Sequence, residues 1–409
     1  MSHPIATRFV CVVALAGATV ASAAPPPALI PIEDASSAAL AIMATDGVAG
    51  STLRTLDSMT NSARLLVLNT MGWFNAATTP DAVVAARRGL SVPCPQGGQV
   101  WAFVPKPVTG TVRLKWTGCT YQNGSQPTQV DGVGEIKVPA ASFAPEYLED
   151  LRLGSADGDL VTTSTVAGGP GVSEQIFDLH VAGRLPLTRF RSIGLFSGSY
   201  DVRIDGKADN HYSSPGIPGD EENTRYDSVY YQHADGVRLI GSATHSENDT
   251  VLDEQVNFKA GTFRQIGMGT HAAIPETNWP SITGQDFRVS RTLRAREGIA
   301  MATMQGRVRE TRNPFSTCGD GWFAYRTLTP LLIYDAFGNG ADDAGTVIVN
   351  RARISYVKSE GPAGPSYYTP RPGERPTLVT VNMANGTTFE LKSYLISATA
   401  SEYRVCPAE

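Results

Sequence analysis

The chain is poor in the residues that metal and thiol chemistry needs. Among 409 residues there are five cysteines and six histidines. Neither a CxxC nor an HxxxH spacing occurs, which excludes the zinc and dithiol sites built on those pairs. A nucleophile elbow is missing too. The nearest stretch, Gly194-Leu195-Phe196-Ser197-Gly198, carries its serine one place too late for G-x-S-x-G. Charged residues make up only 18%, and the net charge of −5 is spread without an acidic or basic tail, so no nucleic-acid partner is expected. Beyond the N-terminus nothing approaches the roughly 18 consecutive apolar residues of a spanning helix.

The N-terminus is the one strongly apolar stretch. Arg8 and the free amine precede an apolar run from Phe9 to Val20, and Ala21-Ser22-Ala23 places small residues before Ala24 and Pro25. This is the layout of a secretory signal peptide, with cleavage expected after Ala23 because proline next to the scissile bond is poorly tolerated. Cleavage would remove Cys11 and leave Cys94, Cys119, Cys318 and Cys406, an even set that reads as disulfides in an oxidising compartment.

Cys94 and Cys119 flank a β-hairpin pattern. Val112, Leu114 and Trp116 alternate with Thr111, Arg113, Lys115 and Thr117, and residues 99–104 are a second run of strand formers. A fold-back within PKPVTG brings the two cysteines opposite one another, with Gly118 suited to a bulge that turns Cys119 toward its partner. The remaining cysteines then pair as Cys318–Cys406 by default.

The rest of the chain is mainly β. Residues 33–90 carry apolar residues at three- and four-residue spacing, with a last helical piece begun by Thr79-Pro80-Asp81. From Cys94 onward, runs such as YDVRI, FRVSRTLRA and TVIVNRARISYV alternate as strands. Asp235-Gly236 and Asn385-Gly386 read as tight hairpin turns, and Asp131-Gly132, Asp157-Gly158 and Asp205-Gly206 as weaker turn signals. Residues 211–225, 269–285 and 361–376 read as long loops. The expected fold is a large antiparallel meander, a sandwich or extended stacked sheet, with a short helical N-terminal segment. Its expected divisions are 1–23 signal peptide, 24–90 proline-rich lead and helices, 91–312 a β domain, and 313–409 a C-terminal β module.

The helix-rich lead, the C-x-x-G-G strand from Cys94, the second cysteine at 119, and the later C-G-x-G-W-x-x-x-x-T-x-T-P module from Cys318 form an ordered set. In this the chain resembles extracytoplasmic β-rich proteins of Gram-negative bacteria over residues 91–137 and 316–396. Those proteins have no assigned activity, so the resemblance implies a location in the envelope or outside the cell and no catalytic residues.

Candidate binding groups are of two kinds. Residues 286–312 are rich in arginine, and Arg288, Arg291, Arg294 and Arg296 are candidates for holding an anionic envelope component, against the alternative of a solvated strand face. Trp279, Tyr367 and Tyr368 lie in proline-rich stretches that would keep them near the surface to stack on a glycan. The paired acids Glu221-Glu222, Asp253-Glu254 and Asp342-Asp343 are compatible with glycoside hydrolysis or calcium, although solvated turns account for them equally. His211, His233 and His245 match no metal spacing. No cofactor is expected, and nothing bears on oligomeric state. The pattern implies an exported, disulfide-stapled β protein that works by binding or structure. The alternatives are a carbohydrate-active hydrolase with dispersed Asp and Glu, and an outer-membrane or lipid-handling β protein. For a membrane barrel the chain end, VCPAE, lacks a terminal aromatic.

Overall fold

The computed structural model describes residues 29–46, 53–77, 86–104, 110–124, 126–139, 145–155, 158–165, 171–187, 198–214, 226–245, 251–269, 281–294, 299–311, 321–334, 342–357 and 378–392. Two helices come first, α1 (Ala35–Asp46) and α2 (Leu53–Ala77). Asp34 caps α1: its Oδ1 accepts the Ser37 N–H at 2.7 Å, while Ser37 Oγ accepts the N–H groups of Glu33 and Asp34 at 3.1 Å. Two otherwise orphaned ends are thereby satisfied reciprocally. Along α2 the three- and four-residue spacing buries Leu56, Met59, Ala63, Leu66, Val67 and Phe74. Among the described residues no helix is long and apolar enough to cross a membrane.

Seventeen strands follow among the described residues. They are β1 (Leu90–Pro93), β2 (Gly97–Phe103), β3 (Thr111–Asn123), β4 (Gln126–Lys137), β5 (Tyr147–Leu153) and β6 (Leu160–Thr165). Next come β7 (Val172–Pro186), β8 (Gly198–Ser214), β9 (Tyr226–His245), β10 (Val251–Gly269), β11 (Ser281–Arg294) and β12 (Ile299–Thr311). The last are β13 (Gly321–Tyr334), β14 (Asp342–Val349), β15 (Ala352–Val357), β16 (Leu378–Asn382) and β17 (Thr388–Lys392). All belong to one antiparallel sheet. The protein is thus mainly β, an antiparallel meander with a helical N-terminal segment.

The meander has one interruption. β5 and β6 share a single strand position, for β4 pairs with β5 along Gly134–Lys137 and with β6 along Thr128–Asp131. β7 closes over both. β12 and β13, which flank the expected division near 313, pair directly with each other.

Strands such as β2 and β3 alternate between buried apolar residues and outward-facing ones. On β3 the inner residues are Val112, Leu114 and Trp116, as the sequence pattern anticipates. Equivalent positions on later strands, such as Val202, Leu239, Phe258, Phe287, Phe323 and Ile354, join the helices in one continuous core. The N-terminal strap joins the far side: Ile30 N donates to Trp322 O at 3.1 Å, and Asn350 Nδ2 donates to both Ile30 O and Trp322 O at 2.9 Å.

The Asp-Gly pairs do a different job from the one their sequence signature implies. Asp235-Gly236 is not a hairpin turn. It lies in the middle of the 20-residue β9, where Gly236 at φ 60° opens a bulge. Asp131-Gly132 and Asp205-Gly206 also lie within strands. The aspartates accept the amide hydrogens that bulging frees on the next strand: Asp131 Oδ1 takes Gly118 N–H at 2.6 Å, and Asp205 Oδ1 takes Gly236 N–H at 2.7 Å. Register shifts recur at neighbouring heights from β3 to β14, so the bulges line up as a seam across the sheet. At the seam Gly206 approaches β7 so closely that a Cβ would stand 2.0 Å from Asp178 O. Bulges bend strands and raise their twist. A row of them places those bends along one line of the sheet.

Other boundaries also differ from expectation. TVIVNRARISYV is two strands, β14 and β15, joined at Asn350-Arg351, both with positive φ (48° and 74°) as a type I′ turn demands. Asn385-Gly386 does join a hairpin, β16 to β17, but through the five residues 383–387, in which Gly386 (φ 86°) returns its N–H to Met383 O at 3.0 Å. The loops expected at 211–225 and 269–285 are partly strand, since β8 runs to Ser214, β10 to Gly269, and β11 starts at Ser281. The signal peptide, the helical start at Thr79, and the loop at 361–376 lie outside the described residues.

Candidate functional site

The hairpin disulfide is present. Cys94 and Cys119 are bonded with Cα atoms 5.4 Å apart, and Gly118 (φ 53°) supplies the bulge just before Cys119. Cys318 and Cys406 lie outside the described residues.

A cleft of about 910 Å³ crosses the outer face of the sheet from β2 to β8. It is built by strand parity: because Val100 and Ala102 point into the core, Trp101 and Phe103 must point outward, and they remain 44% and 41% exposed. The same rule turns Arg113 and Lys115 outward on β3, Glu135 on β4, Arg152 on β5, Asp178 and His180 on β7, and Asp205 on β8. One end of the cleft therefore offers aromatic faces, and the rest offers ions. Its far end rests on the seam, where Gly154 and Gly206 form part of the wall.

Most of these ions are paired. Arg113 Nε bonds Glu135 Oε2 at 3.0 Å, His180 Nε2 meets Asp150 Oδ2 at 2.9 Å, and Arg152 Nε lies 3.5 Å from Asp150 Oδ1. Arg203 Nε donates to Asp205 Oδ2 at 2.8 Å. Burial works to raise the Asp205 pKa. The hydrogen bonds from Arg203 and the Gly236 N–H, with the charges of Arg203 and His180, outweigh it and hold the carboxyl below its ordinary value. Lys115 is exposed and has no hydrogen-bond or ion-pair partner among the described residues.

Two other places gather polar groups. On β8 and β9, Asp209 is buried and accepts the Gln232 N–H at 3.1 Å and bonds His233 Nε2 at 3.1 Å. Tyr231 stands between His211 and His233, its ring 6.2 and 6.3 Å from theirs. The two histidines thus meet as part of an aromatic ladder. Among the described residues no group of three or more His, Cys, Asp or Glu side chains is placed to hold a metal ion. Between α2 and the inner face of the sheet lies a cavity of about 140 Å³ walled largely by neutral groups such as Asn69, Tyr121, Ser164 and Gln175. At roughly 30 Å³ per molecule it has room for a few waters.

Of the arginines singled out in the sequence, Arg288 is exposed and its Nη2 bonds Gln255 Oε1. Arg291 and Arg294 lie in β11, in register with Glu254 and Val251 of β10. Arg296, Trp279, Tyr367, Tyr368 and Glu221-Glu222 lie outside the described residues. Asp253, Glu254 and Asp342 are strand residues of β10 and β14. Sequence reading missed the cleft. The signal available was a tryptophan and a phenylalanine on the polar parity of VWAF, where a half-buried strand ordinarily carries polar side chains.

No protein-family model matches the chain, and no curated protein matches it.

Proposed function

We propose that the chain is an exported β protein that acts by binding, and that the outer-face cleft is its ligand site. One observation carries this reading: Trp101 and Phe103 stand exposed in the same concavity as the unpartnered Lys115. Large exposed aromatics on a sheet face cost solubility unless they serve contact, and concave sites combining apolar faces with a few polar groups are where ligands bind. The hairpin disulfide is compatible with an oxidising compartment, and the signal-peptide pattern of residues 1–23 supports export.

The second reading, a hydrolase with dispersed carboxylates, draws on Glu135, Asp178 and Asp205 sharing the cleft. A glycosidase acid needs a carboxyl that stays protonated near neutrality. Asp205 is shifted the other way, and the Glu135 carboxylate is engaged by the Arg113 guanidinium at 3.0 Å, where a leaving-group oxygen would have to sit. Binding is therefore the better reading.

The test is a thermal-shift screen of the mature protein against neutral and acidic oligosaccharides, peptides, lipid vesicles and phosphate, run beside Trp101→Ala. A bound ligand raises the midpoint by mass action. We expect at least one class to do so with the native protein and to lose the effect with the variant. If every stabilising ligand acts equally on both proteins, the cleft is not the site.

A further inference from the structure

We infer that the cleft takes a carboxylate-bearing oligosaccharide, seated with one sugar ring on the Trp101 and Phe103 platform and an acidic group at Lys115; this rests on the cleft being the ligand site. Shape comes first. The cleft crosses six strand positions, β2, β3, β4, β5, β7 and β8, which at about 4.8 Å per step is roughly 24 Å. That suits an extended chain of several rings rather than a single small molecule. Trp101 and Phe103 are two residues apart on one strand, so their side chains leave the same face roughly 7 Å apart. Side by side at one end of the cleft, the two offer a single broad apolar platform for the C–H face of a pyranose ring.

The polar groups narrow the class. Three cations, Arg113, Lys115 and Arg152, face three carboxylates, Glu135, Asp178 and Asp205. A densely charged polyanion would be repelled by the carboxylates, and an acyl chain would strip water from all six ions. Carboxylates and guanidiniums side by side instead offer acceptors and donors for hydroxyl groups. Arg113 is occupied by Glu135, and Arg152 lies near Asp150, which leaves Lys115 as the cation free for a ligand's own charge.

An extended peptide is disfavoured by the backbone. Peptides that lie along sheets gain affinity by pairing with an unpaired strand edge. All six strands under the cleft are paired on both sides, so their ladder groups are already used.

Isothermal titration of the mature protein decides the matter, using a hexasaccharide with one glucuronic acid among neutral glucose residues, maltohexaose as its neutral counterpart, and a heparin hexasaccharide as a densely sulfated one. We expect the uronic hexamer to bind most tightly, with affinity falling as salt is added. Lys115→Ala should weaken it about tenfold, the loss of one charged hydrogen bond, and leave maltohexaose unchanged. Trp101→Ala should weaken both. Equal binding of neutral and uronic hexamers, indifference to Lys115→Ala, preference for heparin, or no oligosaccharide binding at all would each overturn the ligand class. In those cases the cleft still stands as the site if Trp101→Ala abolishes binding of another ligand from the screen. If Trp101→Ala changes the binding of no ligand, both readings fall.

Discussion

Trp116 donates its indole N–H to Thr70 Oγ1 at 3.0 Å, joining β3 to α2 through two fully buried side chains. The bond fixes the helix at one height on the sheet. Thr70→Val keeps the shape but leaves the indole hydrogen unpaired in the core. We expect a loss of about 1–3 kcal/mol in urea denaturation, the usual cost of a stranded buried donor. A loss below the error of the measurement would mean that α2 is not held there.

The disulfide gives a second expectation. In the chain-entropy picture, closing the loop between Cys94 and Cys119 contributes about 3.5 kcal/mol. The double variant Cys94→Ser, Cys119→Ser should lower the denaturation midpoint accordingly. Non-reducing peptide mapping of the mature protein should join Cys94 to Cys119, and we propose that it also joins Cys318 to Cys406. N-terminal sequencing of the exported protein should begin at Ala24; a start at Met1 in the cytoplasmic fraction would remove the export proposal.

Glycines that share a positive φ should differ in what they tolerate. Gly386 sits in a turn with nothing within 4 Å of an added Cβ, so Gly386→Ala should cost only the backbone strain, about 1–2 kcal/mol. Gly206→Ala adds a collision with Asp178 O and should cost several-fold more, enough to separate the two by calorimetry. Similar losses at both sites would argue against the seam.

Acid should weaken the helix cap. Burial pushes the Asp34 pKa up, but hydrogen bonds from Ser37 and Ser36 outweigh it and leave it below the ordinary value. A folded-state pKa below the unfolded one contributes stability at and above the unfolded range, and this contribution is lost as pH falls through the folded value. Asp34→Asn keeps a capping oxygen and should flatten that part of the acid limb. Asp34→Ala should cost about 1 kcal/mol near neutral pH. An acid limb unchanged by Asp34→Asn would show that the cap does not titrate as described.

How much of this was legible depends on how far apart the interacting residues lie. The alternation in TVRLKW and the fold-back between Cys94 and Cys119 are local, and both were readable. Asp235-Gly236 was misread because a glycine at positive φ serves a mid-strand bulge as well as a turn, and only the partner, Asp205 on the neighbouring strand, distinguishes them. Asn350-Arg351 was invisible for the opposite reason: it makes a turn without glycine, held by Asn350 Oδ1 accepting the Ala324 N–H at 2.7 Å. The cleft could not be assembled from the sequence at all, because Trp101, Lys115 and Asp205 meet only through the register of the intervening strands.

The strap from Leu29 to Ile32 is the earliest described part of the chain, yet its clasp, Asn350 with Trp322, comes from the last quarter. A polypeptide emerging from the ribosome thus cannot seat residues 29–32 until Asn350 has been made. We expect chains truncated before Gly321 to leave α1 and α2 open to protease. If the chain is exported as we propose, such late completion leaves residues 29–32 unseated while a translocation channel threads them.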